Sequence, residues 1–434
     1  PARPSTSNVV LLPTIDDPAA FDSHSIGTAR VHRYARDVDG TDLAADAEYV
    51  MWYHGRCQGL NADGDLAPLS TGRIGRATSK NGLVWEKCQK GSGSEDGKGV
   101  SLGLNTESWW GFDTAHVGLG QVMLPMSTPA VLAEGGVYLL YYMGGTHEET
   151  AISSYVEDPT GIPTDATIKG MNLRIGVAMS QDGLTWGRVE GDDPTGAVMC
   201  PFDKSDPNQR WMTKEGGYRD DDLSLLELDE ELYCGWPEVV VHHTGEGAGN
   251  ALSVNSFANA AKGAASGRKK PPAFYMYYST MLKECKTKAI GCAVSEDGFR
   301  WYKRGTCLRP SSADDGDGDD DDAMDAAGCA RCSVLRNQIF DEESETWRDV
   351  PGWTMYYEGV SPKDGRHRVM AAQSADGRNW EKLGVVLEVG NEGGWDAAGV
   401  GSPHLMRLED GTVRMYYTGQ GEDGSTAIGV AKAD

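Results

Sequence analysis

Residues Ala178–Trp186 read AMSQDGLTW, and nearly the same phrase returns as ATSKNGLVW at Ala77–Trp85, AVSEDGFRW at Ala293–Trp301 and AAQSADGRNW at Ala371–Trp380. A polar turn between strand-like flanks, repeated along one chain, indicates an architecture assembled from copies. Asp-Gly and Asn-Gly tolerate the positive φ angles of tight turns, so Asn81, Asp182, Asp297 and Asp376 are read as turn formers. Trp85, Trp186, Trp301 and Trp380 then act as packing plugs behind them.

Upstream of each turn lies a segment rich in aromatic and β-branched residues: YVMWYHG from Tyr49, VYLLYYMGG from Val137, FYMYYST from Phe274, WTMYYEG from Trp353 and VRMYYTG from Val413. A second strand of small alternating residues follows: RIGRATS from Arg73, RIGVAMS from Arg174, AIGCAVS from Ala289, RVMAAQS from Arg368 and AIGVAKA from Ala427. This composition favours strands, and no segment sustains a helical apolar period. A further strand precedes each aromatic one: FDSHSIGTARVHRY from Phe21, FDTAHVGLGQVM from Phe112, LDEELYCGWPEVVVHH from Leu228, MDAAGCARCSVLRN from Met324 and WDAAGVGSPHLMRL from Trp395. With the strand beyond the turn, each unit has four, the make-up of a propeller blade. The expected fold is therefore all-β, a single five-bladed β-propeller of four-stranded antiparallel blades over residues 1–434. The blades fall at about 21–90, 110–200, 228–308, 324–389 and 395–434. The fifth unit stops after its third strand, so residues 8–13 are expected to supply the missing one and hide an edge, closing the ring.

The 434 residues carry 40 Lys and Arg against 65 Asp and Glu, a net charge of −25. Such a balance argues against nucleic-acid backbones and anionic membranes as partners. No apolar run approaches the roughly 20 residues of a membrane-spanning helix, and PARPSTSN lacks the core of a signal peptide, so the sequence reads as mature and soluble. Nine cysteines, an odd number, suit a reducing compartment. Cys57 and Cys88 flank one repeat, where a cross-strand pairing stays open, and Cys329 and Cys332 form a CxxC without a second ligand pair. Long insertions at 91–109, 146–172, 201–227, 245–271 and 311–322 are candidate contact surfaces for a protein partner. The basic GRKKPP at 267–272 and the acidic DDGDGDDDD at 314–322 read as solvated loops, the latter without the ligand spacing of an EF-hand.

Chemistry is expected where links between blades dive toward the axis. Asp22, Asp113, Asp325 and Asp396 recur at that point; converging carboxylates would raise one another's pKa, as an acid and base pair requires, while capping of their own loops is the competing role. The third unit breaks the pattern with Glu230, Glu231 and Glu238. His24, His54, His116 and His404 gather near the same ends, suiting proton transfer or sugar hydroxyls. Trp109, Trp110, Trp236 and Trp395 are candidates for stacking on sugar rings.

The run of Tyr-Tyr-x-Gly strands followed by IGxAxSxDGxxW resembles the five-bladed propellers of the arabinanase, xylosidase and invertase-type glycoside hydrolases (families 43 and 32) over nearly the whole chain. The turn phrase is also similar to the Asp-box of sialidases, whose six blades and Arg triad are not matched here. A looser resemblance is to plant and algal plastid proteins with the same glycosidase-like label, which implies a chloroplast location. The glycosidase resemblance implies an Asp base, a pKa-tuning Asp and a Glu acid at Asp22, Asp113 and Glu238. The family's Asp stands before a Pro-started inner strand, where this chain has Thr28, Leu119 or Thr128, Trp236, Arg331 and Ser402. Its acid precedes Gly-Pro, whereas Glu238 follows Trp-Pro. Two readings follow: a propeller binding a carbohydrate or other polyhydroxylated ligand in its axial pocket and hydrolysing a glycosidic bond, or a catalytically silent binding or assembly module. Neither requires a cofactor; a single calcium ion in the axial channel is compatible with both.

Overall fold

Strands account for the regular structure of the computed structural model, which describes residues 8–34, 48–57, 72–89, 98–123, 137–156, 160–161, 163–212, 228–241, 274–312, 323–341, 346–408 and 410–433. The basic 267–272 and acidic 314–322 segments and the 245–271 insertion lie outside the described residues. Among the described residues there is no α-helix, just 3-10 turns at Ile152–Ser154 and Pro207–Met212. The fold is all-β and propeller-like.

Each repeat is an antiparallel set hydrogen-bonded in chain order. The first unit contains Ser25–Tyr34, Glu48–Arg56 and Gly72–Ser79, with Glu86–Lys87 and Val100–Leu102 on its outer edge. The second runs His116–Met123, Tyr138–Gly145, Arg174–Ser180 and Gly187–Val189. Glu231–Val241, Phe274–Leu282, Lys288–Ser295 and Tyr302–Leu308 make the third. The fourth is Gly328–Asp341, Thr346–Val360, His367–Ser374 and Glu381–Leu387. In the fifth, Gly399–Arg407, Val413–Gln420 and Thr426–Ala433 are joined by Val9–Leu11 from the N-terminal end, with Val9 opposite Gly429.

The repeated turn has a double function. Ser180 Oγ accepts the N–H of Gly183 at 2.8 Å, and Asp182 Oδ1 accepts those of Leu184 and Thr185, each at 2.8 Å. Gly183 sits at φ 68°, where a β-carbon is disfavoured. The same bonds recur at Ser79/Asn81, Ser295/Asp297 and Ser374/Asp376. The turn glycine's carbonyl then faces a neighbouring unit. Gly183 accepts from the Trp52 indole (2.8 Å), and Gly298, Gly377 and Gly82 accept from the hydroxyls of Tyr141 (2.9 Å), Tyr277 (2.6 Å) and Tyr416 (2.9 Å). Each turn thus closes one unit and latches onto another. Behind it Trp301 is fully buried, edge-on to Tyr141 at 5.8 Å.

Inner strands carry a bulge at one common level, where the register slips after Gly27, Leu119, Gly235, Ala330 and Gly401. Thr28 (φ 50°), Trp236 (47°), Arg331 (36°) and Ser402 (47°) occupy left-handed backbone there despite having β-carbons. Such positions cost about 1–3 kcal/mol each and gather at functional sites. Neighbouring units hold the bulges: Thr418 Oγ1 accepts the Thr28 N–H (2.9 Å), Ser279 Oγ that of Arg331 (2.7 Å) and Glu358 Oε2 that of Ser402 (2.9 Å). All nine cysteines are free thiols, so Cys57 and Cys88 are not bridged.

Candidate functional site

The recurring carboxylates are gripped within their own units. Asp22 accepts from Tyr53 Oη (2.9 Å) and Lys87 Nζ (2.6 Å), and Asp113 accepts from Tyr142 Oη (2.8 Å) and Arg188 Nε (2.6 Å). Asp325 accepts from Tyr357 Oη (2.8 Å) and pairs with Lys382 (2.6 Å), while Asp396 takes Tyr417 Oη at 3.0 Å. In the third unit this position belongs to Glu231, bonded by Tyr278 Oη (2.7 Å) and Lys303 Nζ (2.5 Å). Its bulge residue Trp236 follows five residues later, against six from Asp22 to Thr28; the longer side chain makes up the missing residue. The tyrosine is the second of the Tyr-Tyr pair, or of Trp52-Tyr53 in the first unit, and in the first four units the cation stands two residues after the plug tryptophan. The same grip recurs in every unit, tying the link that carries the carboxylate to the unit's own strands. Burial pushes the Asp325 carboxyl up, but Lys382 outweighs it and keeps the group below its ordinary range.

Glu238 lies elsewhere, where the inner strands converge. It pairs with Arg30 at 3.1 Å, both side chains almost wholly buried, and its Oε1 accepts the Val334 N–H at 3.1 Å. Burial raises its pKa, opposed by Arg30. Arg30 also donates to the carbonyls of Gly120 (2.5 Å) and Pro403 (3.2 Å), so one guanidinium ties inner strands of several units. Beside it, His404 Nε2 donates to the Val31 carbonyl (3.1 Å), and burial followed by Arg30 lowers its pKa to about 3. Asp22, Asp113 and Glu238 therefore have separate partner sets. A calcium ion at Glu238 would compete with that guanidinium. Among the described residues, no group of three or more His, Cys, Asp or Glu is placed to hold a metal.

A different constellation forms at the bulge level. Glu358, the residue after the fourth unit's tyrosine pair, is 1% exposed and accepts from His367 Nδ1 (2.6 Å), Arg331 Nη1 (3.4 Å) and the Ser402 N–H. Burial alone would raise its pKa, yet Arg331 and His367 hold it well below the usual carboxylate range. Arg331 lies over Trp236 at 4.7 Å, and Trp236 stands edge-on to Tyr233 at 6.3 Å. Tyr233 packs with Met143, Leu173 and Met281, and Tyr155 from the 146–172 insertion joins this wall. Opposite in character are Arg56 and Lys288, whose pKa values are lowered first by burial and then by Arg331, Arg56 to about 10. His54 and His116 sit together, ring centroids 5.5 Å apart. His116 Nδ1 accepts the Gly72 N–H, which places its proton on Nε2. Burial, then Arg56, holds both imidazoles neutral, His116 at about 3. His24 is exposed, its N–H bonded to the Arg56 carbonyl at 2.9 Å.

Of the residues expected to bind a ligand, Trp236 thus contacts Arg331, while His54 and His116 pack together and His24 bonds the Arg56 carbonyl. His404 lies at the level of Arg30, and Asp325 and Asp396 are among the gripped carboxylates. Trp395 packs on Tyr417 at 5.4 Å and fills the space above Gly419 and Gly429, a core role. Trp110 borders Gly196, beyond the second unit's outer strand, while Trp109 is 90% exposed. Sequence reading missed Arg56, Lys288, Arg331, Glu358 and His367. The available signal was the x of Tyr-Tyr-x-Gly, where Glu358 stands against Met143, Ser279 and Thr418.

No family model matches this sequence, and no curated protein matches it. Solved structures do match in fold. A glycosyl hydrolase from Bacteroides ovatus is 13% identical, covers 100% of this chain and 92% of its own, and has a TM-score of 0.53. A member of the GH130 family of mannoside phosphorylases, which contains glycoside hydrolases targeting β-1,2 mannosidic linkages in Candida mannan, is 13% identical over 100% of this chain and 93% of its own, with a TM-score of 0.53. BT0996, in its RGII complex, is 15% identical over 98% of this chain and 91% of its own, with a TM-score of 0.51. The protein therefore has the fold of glycoside hydrolases of this propeller-like type.

Proposed function

We propose that this protein is a closed five-bladed propeller that binds a saccharide at the bulge-level mouth, and that Asp22, Asp113 and Glu238 are structural rather than a hydrolytic set. Closure is supported by contact of the first inner strand with the fifth, by the Val9–Leu11 pairing and by the Tyr416–Gly82 latch. The observation carrying the binding reading is the composition of the mouth: an aromatic wall of Trp236, Tyr233 and Tyr155 beside the polar Arg331–Glu358–His367 group. A sugar offers apolar C–H faces to such rings and hydroxyls to such polar groups. Hydrolysis ordinarily takes two carboxylates flanking one bond. Among the described residues the mouth brings one buried carboxylate, Glu358, and it is held ionised, unsuited to an acid. Kinship with the arabinanase, xylosidase and invertase group and plastid residence belong to this reading, supported by the resemblance of the repeated phrases alone.

An oligosaccharide array and a panel of aryl glycosides test it. Saccharide binding without turnover is expected; turnover abolished by Glu238→Gln in a folded protein would restore the hydrolase.

A further inference from the structure

We infer that the fourth unit carries a second carbohydrate site, for a neutral oligosaccharide, at the end of its sheet remote from the mouth. His367 and Ser374 are the first and last residues of one strand, so the two places lie roughly 23 Å apart at about 3.3 Å per residue. A cleft of about 510 Å³ opens beside Ser374, with Asn337, Gly352, Gln373, Asn379, Trp380 and Glu381 among its lining residues. Small-molecule sites run from roughly 300 to 1,000 Å³.

Two departures from the repeat make this cleft. Strands Gly328–Asp341 and Thr346–Val360 continue past the level of Ser374 as a two-stranded ribbon, in which Gln338 pairs with Asp349 and Ile339 with Arg348. The matching strand of the second unit starts at Tyr138, opposite Ser180. Where the ribbon leaves the sheet the register slips after Arg336, and Gly352 stands at φ 106°; a β-carbon there would come 2.8 Å from Asn337 Nδ2. Asn337 Oδ1 accepts from Thr354 Oγ1 at 2.8 Å, which fixes that carboxamide. The second departure is Trp380. Trp85 and Trp301 donate through Nε1 to the carbonyls of Gly82 (3.1 Å) and Gly298 (3.0 Å), Trp186 donates to Ser101 Oγ (2.9 Å), and all three are buried. Trp380 is half-buried, edge-on to Tyr277 at 5.7 Å, and its Nε1 has no partner among the described residues. The same place in the second unit is smaller, about 360 Å³, with Val137 and Met179 where the fourth has Gly352 and Gln373.

Carboxamides donate and accept at once, as sugar hydroxyls do, and an indole covers the C–H face of a sugar ring. Gln373 Nε2 donates to Glu381 Oε2 at 2.8 Å, so two of these groups are set before a ligand arrives. The lining residues include Glu381 and neither Lys nor Arg, in a protein of net charge −25, which disfavours an anion. Pro351, Ala375 and Trp380 are its apolar groups, too few to seat a lipid chain. A neutral polyhydroxylated chain suits both conditions.

Calorimetric titration with neutral hexasaccharides of glucose, mannose, xylose and arabinose, and with a hexagalacturonate, compares wild type with Gln373→Ala, Trp380→Phe and the mouth variant Glu358→Gln. At least one neutral hexasaccharide should bind saturably, retain a site in Glu358→Gln, and bind that site about fivefold or more weakly in both cleft variants, the scale of a lost hydrogen bond. The hexagalacturonate should bind the cleft more weakly than the neutral chain. Gln373 is exposed, so Gln373→Ala carries the test even where Trp380→Phe loosens the plug, and circular dichroism checks the fold. No saturable binding by any neutral probe, or binding unchanged in both cleft variants, would overturn the inference. Binding removed by Glu358→Gln and untouched by the cleft variants would overturn it while leaving the mouth as the saccharide site; tighter binding of the hexagalacturonate at the cleft would overturn the neutral class of ligand.

Discussion

The Arg30 guanidinium lies 3.1 Å from Oε2 of Glu238, and both side chains are buried where the inner strands meet. Removing one member leaves a charge stranded in the interior, which costs about 3–5 kcal/mol, while losing both costs less than the sum. Arg30→Met should therefore destabilise severely, and adding Glu238→Gln should recover part of the loss. Urea unfolding of the two single variants and the double variant measures the coupling; additive losses would show that the pair does not interact.

The gripped carboxylates lead to a contrast between stability and binding. Lys303 and Glu231 are 2% and 6% exposed in their side chains, whereas Lys87, paired with Asp22, is 20% exposed. Lys303→Met should cost about 3–5 kcal/mol and Lys87→Met distinctly less. Asp22→Asn and Asp113→Asn should lower the unfolding midpoint and leave ligand affinity in the surviving folded protein unchanged. An affinity lost with the midpoint intact would return these residues to the binding site.

Acid sensitivity is expected from the buried histidines. His32 is lowered to about 4, and His116 and His404 to about 3, in each case by burial first, against about 6.5 when unfolded. The unfolded state thus binds protons that the folded state refuses, so their contribution is complete above about pH 6.5 and is lost as pH falls toward 4. Each contributes a slope of up to about 1.4 kcal/mol per pH unit in that window. Glu238, raised by burial, acts with the opposite sign as pH falls. Unfolding free energies at several pH values should decline below pH 6.5, and His404→Gln should flatten the decline by about one proton.

Glu358→Gln separates architecture from recognition at the mouth. A glutamine carbonyl can still accept the Ser402 N–H, so the fourth and fifth units should stay joined with a loss of about 1 kcal/mol or less on that bond. Its charge no longer orders Arg331 and His367, so saccharide affinity should fall. Equal affinity, with crystallographic confirmation of an unchanged Ser402 bulge, would show that Glu358 serves the backbone alone.

Much of the fold was legible because turn chemistry and strand composition are local. Asp182-Gly183 forms its turn whatever lies beyond, and the Tyr-Tyr strands declare themselves by β-branched and aromatic content. The same repetition cast Asp22 and Asp113 as both caps and catalysts, whereas their bonds to Tyr53 and Tyr142, 31 and 29 residues away in the chain, are long-range contacts that the local pattern does not display. Glu231 was hidden because a longer side chain one residue closer to its bulge does the work of an aspartate.

By itself the sequence determined the repeat, its strands, its turns and the identity of the plug tryptophans, since these depend on neighbours a few residues away. Tertiary structure alone decided that Arg30 meets Glu238 and that Glu358 meets Arg331 and His367. Arg30 and Glu238 lie on different units, and their encounter is set by how the sheets converge, a long-range packing outcome that no local propensity encodes; Arg331, Glu358 and His367 lie on neighbouring strands of the fourth unit, and the strand register brings them together.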